Sequence, residues 1–206
     1  MSAVVAAARW CADPAFASRR YVDMHGEVHI KILPKEYYVT DQPFLLTTVL
    51  GSCVAACLRD AAAGVAGMNH FMLPELAGAE TWRGQSMTYG GYAMNRLIEA
   101  LLAHGARRER LEAKVFGGAN VLADMRIARI GEANAAFVHD DLARRRIPIV
   151  AEDLGGGWPR QLQYAAGTGR ARVRRLRVVE SALAERERRL AATVTPGAPV
   201  VAGGLA

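Results

Sequence analysis

The chain has 206 residues, 51% of them apolar and 22% charged, a balance that supports one buried core and excludes a disordered or low-complexity chain. Its formal charge of +6 is concentrated: residues 170 to 190 carry eight Arg against three Glu, so the remainder is nearly neutral. Arg interleaved with Glu reads first as a solvated helix face, so neither nucleic-acid binding nor membrane insertion is expected.

Three cysteines, Cys11, Cys53 and Cys57, form no regular spacing and argue against a disulfide framework. The opening MSAVVAAARWCADP has no basic segment before its apolar residues, and Arg9 interrupts the run, so neither a signal peptide nor a membrane span is expected. The expected compartment is the reducing cytoplasm.

In chain order, residues 1–28 are Ala-rich without periodicity and read as a poorly ordered extension, with the folded domain expected over 29–178. IKILPKEYYVT and FLLTTVL read as strands separated by the turn Asp41-Gln42-Pro43, and Gly51 ends the second. VAACLRD alternates Val54, Ala56 and Leu58 against Ala55, Cys57 and Arg59. With the following VAGMNHFML it predicts a hairpin that carries Cys53 at one end and His70 near the other.

Residues 75–91 are loop-like, and Tyr92 to His104 has Ala93, Leu97, Ile98, Leu101 and Leu102 on one helical face with Gly105 at the C-terminal cap. AKVFGGA then predicts a strand, Glu132 to Arg145 a helix, and IPIVAED another strand with Ile147 and Val150 inward, before the break at Gly155-Gly156-Gly157. RVRRLRVVE predicts a closing strand, and residues 179–206 an Arg/Glu helix (Ser181 to Ala192) and a flexible tail. Strands alternating with helices imply a single layered α/β domain.

Cys53 follows a glycine turn at the end of an apolar strand. A thiol with an ordinary pKa of about 8.5 is only a few per cent thiolate at neutral pH, so it needs a basic neighbour to be reactive. His70 is that neighbour if the hairpin forms, because the two residues then fall roughly opposite one another, about 5 Å apart. A triad also needs a group to hold the imidazole, and either Thr47 or Thr48 on the preceding strand is a candidate. A buried inert Cys53 and a buried structural His70 are the plainer readings of the same residues.

A metal site built from Cys53, Cys57 and His70 lacks a fourth ligand, and no cofactor is expected. Gly117, Gly118 and Asn120, after a strand, and Ser52 beside the thiol are weaker candidates for substrate or oxyanion contacts. Glu152 and Asp153 point to opposite faces of one strand, which argues against their acting together.

LGSCVAACLRD, GMNHFMLPE, ARRERLEAKVFGGAN, IGEANAAFVHDDL and VAEDLGG together resemble the signatures of the CheD family of chemoreceptor glutamine deamidases, from about Tyr37 to Arg177. The resemblance implies Cys53 as nucleophile and His70 as general base, and it selects Thr47 as the residue supporting His70. It further implies an α/β/β sandwich with mixed sheets related to toxin-type cysteine deamidases. The implied partners are the cytoplasmic helical bundle of chemoreceptors and a CheC-type phosphatase. Gly157-Trp158-Pro159-Arg160 and the QLQYAAGTGR after it depart from the family's pattern. A non-catalytic adaptor on the same fold is the rival reading.

Overall fold

The computed structural model describes residues 19–74, 86–121 and 130–176. The expected Arg/Glu helix from Ser181 to Ala192, the loop residues 75–85 and Cys11 lie outside the described residues.

Among the described residues ten strands form two mixed five-stranded sheets. The first sheet contains β1 (Arg20–Val22), β2 (Val28–Lys31), β4 (Leu45–Leu50), β9 (Arg160–Ala165) and β10 (Arg170–Arg175), in that spatial order. The second contains β3 (Glu36–Thr40), β6 (Val65–His70), β5 (Val54–Asp60), β7 (Glu112–Gly117) and β8 (Ile149–Leu154). Two pairings are parallel, β2 with β4 and β7 with β8; the rest are antiparallel. Helices α1 (Gly90–Ala103) and α2 (Ile130–Arg144) lie on the second sheet, giving an α/β/β order of layers. Among the described residues no helix is long and apolar enough to cross a membrane.

The middle sheet is buried on both faces, and the alternation read in VAACLRD is the reason it can be. Val54, Ala56 and Leu58 pack under the helices with Leu97, Ile98 and Val138, while Cys53, Ala55 and Cys57 face the other sheet with Leu46, Met68 and Leu162. Truncating any of the buried leucines would cost about 2–5 kcal/mol, so each layer contact is a substantial share of stability. Helix α1 buries the predicted face and closes with Gly105 at φ 92°, where Gly105 N bonds Leu102 O and Ala106 N bonds Leu101 O. That double bond is a Schellman cap, which favours glycine because φ is positive.

The structure also revises the expected elements. IKILPKEYYVT splits at Leu33-Pro34 into two strands that belong to different sheets. QLQYA, which carried no clear signal, forms β9, the neighbour of β4. Residues 19–28, assigned above to an extension, supply β1 and its turn at the edge of the first sheet. Val150 points outward at 50% exposure because β8 is an edge strand with a register shift opposite Ala113/Lys114, which leaves Ile149 to pack on the core.

At the hairpin end of β5, Asp60 is fully buried. It accepts from the amides of Ala62, Ala63 and Arg107 and from Arg110 Nε, the last two at 2.9 Å. Burial alone would raise its pKa, but those amides and the Arg110 guanidinium outweigh it and bring the carboxyl down to about 2.

Candidate active site

Between β4 and β5 the chain crosses from one sheet to the other through Gly51-Ser52-Cys53. Cys53 therefore opens the middle sheet, with its side chain in the core between the sheets and no exposed surface. Across from it, Val54 and Phe71 exchange both backbone hydrogen bonds, at 3.1 and 3.0 Å. This register sets Ala55 opposite His70 and leaves Cys53 one diagonal step away, a separation of about 7–8 Å between backbones rather than the directly facing position expected from sequence. The ladder between β5 and β6 is interrupted here: Ala56 N bonds Asn69 Oδ1 at 3.0 Å, where regular spacing assigns it Asn69's own carbonyl. His70 thus sits at a break in its strand pairing, beside a side-chain amide that no sequence signal singled out.

His70 reaches out of the middle sheet toward the first one. Its Nδ1 lies 2.9 Å from Thr48 Oγ1, and Thr48 Oγ1 also lies 2.8 Å from Ile32 O. A hydroxyl has one proton and a carbonyl can only accept, so Thr48 donates to Ile32 O and accepts from His70 Nδ1–H. This assigns the proton to Nδ1 and leaves Nε2 as the basic nitrogen of the neutral ring. The His70 carbonyl accepts from Lys35 N at 2.8 Å, which holds the backbone from the β2–β3 turn.

Thr47, the residue selected by resemblance, is not in this contact. On β4 the residues Leu46, Thr48 and Leu50 point between the sheets, so Thr47 points to the opposite face, where its Oγ1 lies 3.5 Å from Ile30 O. Strand alternation separates the two threonines completely.

Gly118 and Asn120 use their backbone amides in the turn, and Gly117 ends β7 in register with Val54 and Leu154. Gly118 N bonds Cys53 O and Ala119 N bonds Gly51 O, both at 2.9 Å, while Asn120 N bonds Gly156 O and Asn120 Nδ2 bonds Glu132 Oε1. At Gly117, where φ is 115°, an added Cβ would stand 2.1 Å from Cys53 O, so only glycine allows this approach. The Ser52 carbonyl accepts from Asn134 Nδ2 at 2.9 Å, and the same nitrogen lies 2.9 Å from Met72 O.

Arg160, in the element that departs from the family pattern, is a second link between the sheets. It is 2% exposed and donates to the carbonyls of Gly117, Asp153 (2.9 Å) and Gly155 (2.6 Å), with Asp153 Oδ1 at 3.4 Å. Burial lowers its pKa, and Asp153 opposes that shift. Glu152 instead pairs with His139 at 2.7 Å, so the two adjacent carboxylates do serve separate partners.

Cys57 lies two strand positions beyond Ala55 on the Cys53 face, and burial pushes its thiol pKa strongly up. It is a packing residue with little thiolate character. Among the described residues, Asp23, Glu27 and His29 bring ligand atoms within 4.8 Å of one another. They sit by the β1–β2 turn at the far end of β4 from Cys53, where His29 Nε2 is already hydrogen bonded to Asp23 Oδ2 at 3.0 Å.

Comparison with known proteins gives a consistent family. The family model described as CheD chemotactic sensory transduction matches residues 72–175. A protein of Burkholderia vietnamiensis named "Probable chemoreceptor glutamine deamidase CheD" is 52% identical over 177 residues, covering 85% of this chain and 72% of that one. A match of that length within 206 residues necessarily includes Cys53 and His70. A protein of the same name from Cupriavidus metallidurans is 54% identical over 165 residues, 79% of this chain and 75% of its own. Among solved structures, the Bacillus licheniformis hypothetical protein YfiH aligns at 14% identity over 57% of this chain and 49% of its own with a TM-score of 0.38, a likeness too distant to carry an argument.

Proposed function

Because the chain belongs to the CheD family of chemotactic sensory transduction proteins, we propose that it deamidates glutamine side chains of chemoreceptors through a thioester on Cys53. The observation that carries this reading is the Thr48–His70 contact, which turns Nε2 into the basic nitrogen in the buried space that Cys53 shares. His70 Nε2 takes the thiol proton and the Cys53 sulfur attacks the carboxamide carbon, forming a C–S bond and an oxyanion. Collapse of the tetrahedral adduct breaks the C–N bond, and the proton held by His70 leaves on ammonia. Water then gives a proton to Nε2 and adds to the thioester, so that the products are glutamate and the restored thiol.

The amides of Gly118 and Ala119 are engaged with the turn and do not serve as oxyanion donors in this reading. Each turnover adds one negative charge to the receptor. The substrate in this reading is the cytoplasmic helical bundle of a chemoreceptor, with a CheC-type phosphatase as a further partner. Mass spectrometry of a receptor cytoplasmic fragment tests it: each converted glutamine gains about one dalton as NH2 is replaced by OH through the thioester route. A fragment unchanged by the wild-type protein, or equally changed by Cys53→Ala, rejects the reading.

A further inference from the structure

Asn134 lies on the buried face of α2 among Ile130, Phe137, Val138 and Leu142, and it has no exposed surface. A residue at that depth on a helix is ordinarily apolar, because a polar side chain there must recover every hydrogen bond it gives up to water. Asn134 recovers only part of them. Its Nδ2 sits 2.9 Å from both Ser52 O and Met72 O, and since carbonyls only accept, both nitrogen protons are used and the amide orientation is unambiguous. No donor among the described residues reaches its Oδ1. A buried acceptor left in this state is unfavourable, so the two donor bonds are the reason for the side chain to be there.

Those two carbonyls are not arbitrary. Ser52 O belongs to the peptide that leads directly into Cys53, and Met72 O lies two residues after His70 on the continuation of β6. The backbone bonds between Val54 and Phe71 fix the hairpin just inside this point. Outside it, the Asn134 amide ties the cysteine turn to the histidine strand where the β5–β6 ladder no longer reaches. We propose that Asn134 is a positioning residue for the reaction: it sets the diagonal separation of Cys53 and His70 from outside, without touching substrate. The proposal rests on the Cys53–His70 reading above.

The test compares Asn134→Ala, which removes both donors, with Asn134→Ser, whose hydroxyl restores at most one, in a Cys57→Ala background. Both are checked for folding by circular dichroism and thermal melting. Two readouts are taken: kcat and KM on a receptor cytoplasmic fragment, and the pH profile of Cys53 alkylation by iodoacetamide, which needs no receptor. A positioning role predicts kcat lowered about tenfold to a hundredfold in the alanine variant, a smaller loss in the serine variant, and KM within about twofold of wild type. It also predicts that the alkylation profile moves toward that of an ordinary thiol.

Folded variants with kcat within about twofold of wild type and an unmoved alkylation profile overturn the proposal. So does failure of both to fold, which makes Asn134 a core residue only. Wild-type protein and Cys53→Ala run alongside: an inactive wild type or an active Cys53→Ala rejects the deamidase reading, while the alkylation arm still decides the positioning role.

Discussion

Thr48 and His70 belong to different sheets and meet at 2.9 Å between Oγ1 and Nδ1, so one hydrogen bond crosses the sandwich. Because the Thr48 proton goes to Ile32 O, this bond also decides which histidine nitrogen is basic. Thr48→Ala is expected to lower kcat about tenfold to a hundredfold by releasing the ring, and Thr48→Ser to retain most activity. Thr47→Ala, on the other face of β4, should stay within about twofold. Steady-state ammonia release from a receptor fragment measures all three, and a Thr47→Ala loss exceeding that of Thr48→Ala would reverse the assignment.

Cys53→Ala and His70→Ala are each expected to abolish deamidation. Combining them should cost almost nothing further, since members of one catalytic unit are strongly non-additive. Cys57→Ala should remain active, because burial keeps that thiol protonated. Independent, multiplying losses in the double variant would show that the two residues do not act as a unit.

Gly117→Ala places a methyl group 2.1 Å from Cys53 O, in a backbone conformation at φ 115° that side chains disfavour. The strain is expected to cost about 1–3 kcal/mol of stability and to shift the nucleophile turn. Urea unfolding and kcat, measured on the same preparation, should both fall; an unchanged kcat would mean the turn tolerates displacement.

Asp60 links stability to pH. Its folded pKa of about 2 lies below the ordinary 3.8, so on acidification the unfolded chain takes up this proton first. The contribution, on the order of 2 kcal/mol, is present above about pH 4 and is lost as pH falls through 2. Denaturant unfolding followed from about pH 5 down to about pH 2 should therefore show a loss of stability that is shallower in Asp60→Asn. Equal slopes in the two proteins would remove Asp60 as the cause.

Local patterns carried much of this molecule. The alternation in VAACLRD separated Val54, Ala56 and Leu58 from Ala55 and Cys57, which pack in different layers, and the apolar spacing with Gly105 located α1 and its cap. These are properties of a few neighbouring residues, and periodicity reports them directly. β9 escaped because QLQYA alternates Gln with Leu and Tyr over too short a span to stand out from the loop residues around it.

What the sequence by itself determined is the β5–β6 hairpin that holds Cys53 before one strand and His70 at the end of the next, because a hairpin is a short-range structure, whereas the diagonal offset of the two residues came only with the register of the folded strands. What only the tertiary structure decided is which side chains arrive from elsewhere in the chain: Thr48 rather than Thr47 against His70 from the other sheet, Asn134 from α2 against Ser52 O, and Arg160 from β9 against Gly117 O. Two adjacent threonines are equivalent until a second sheet covers one face of their strand, and a buried asparagine or arginine shows its role only once carbonyls distant in the chain, Ser52 O and Met72 O for Asn134 and Gly117 O for Arg160, are folded against it.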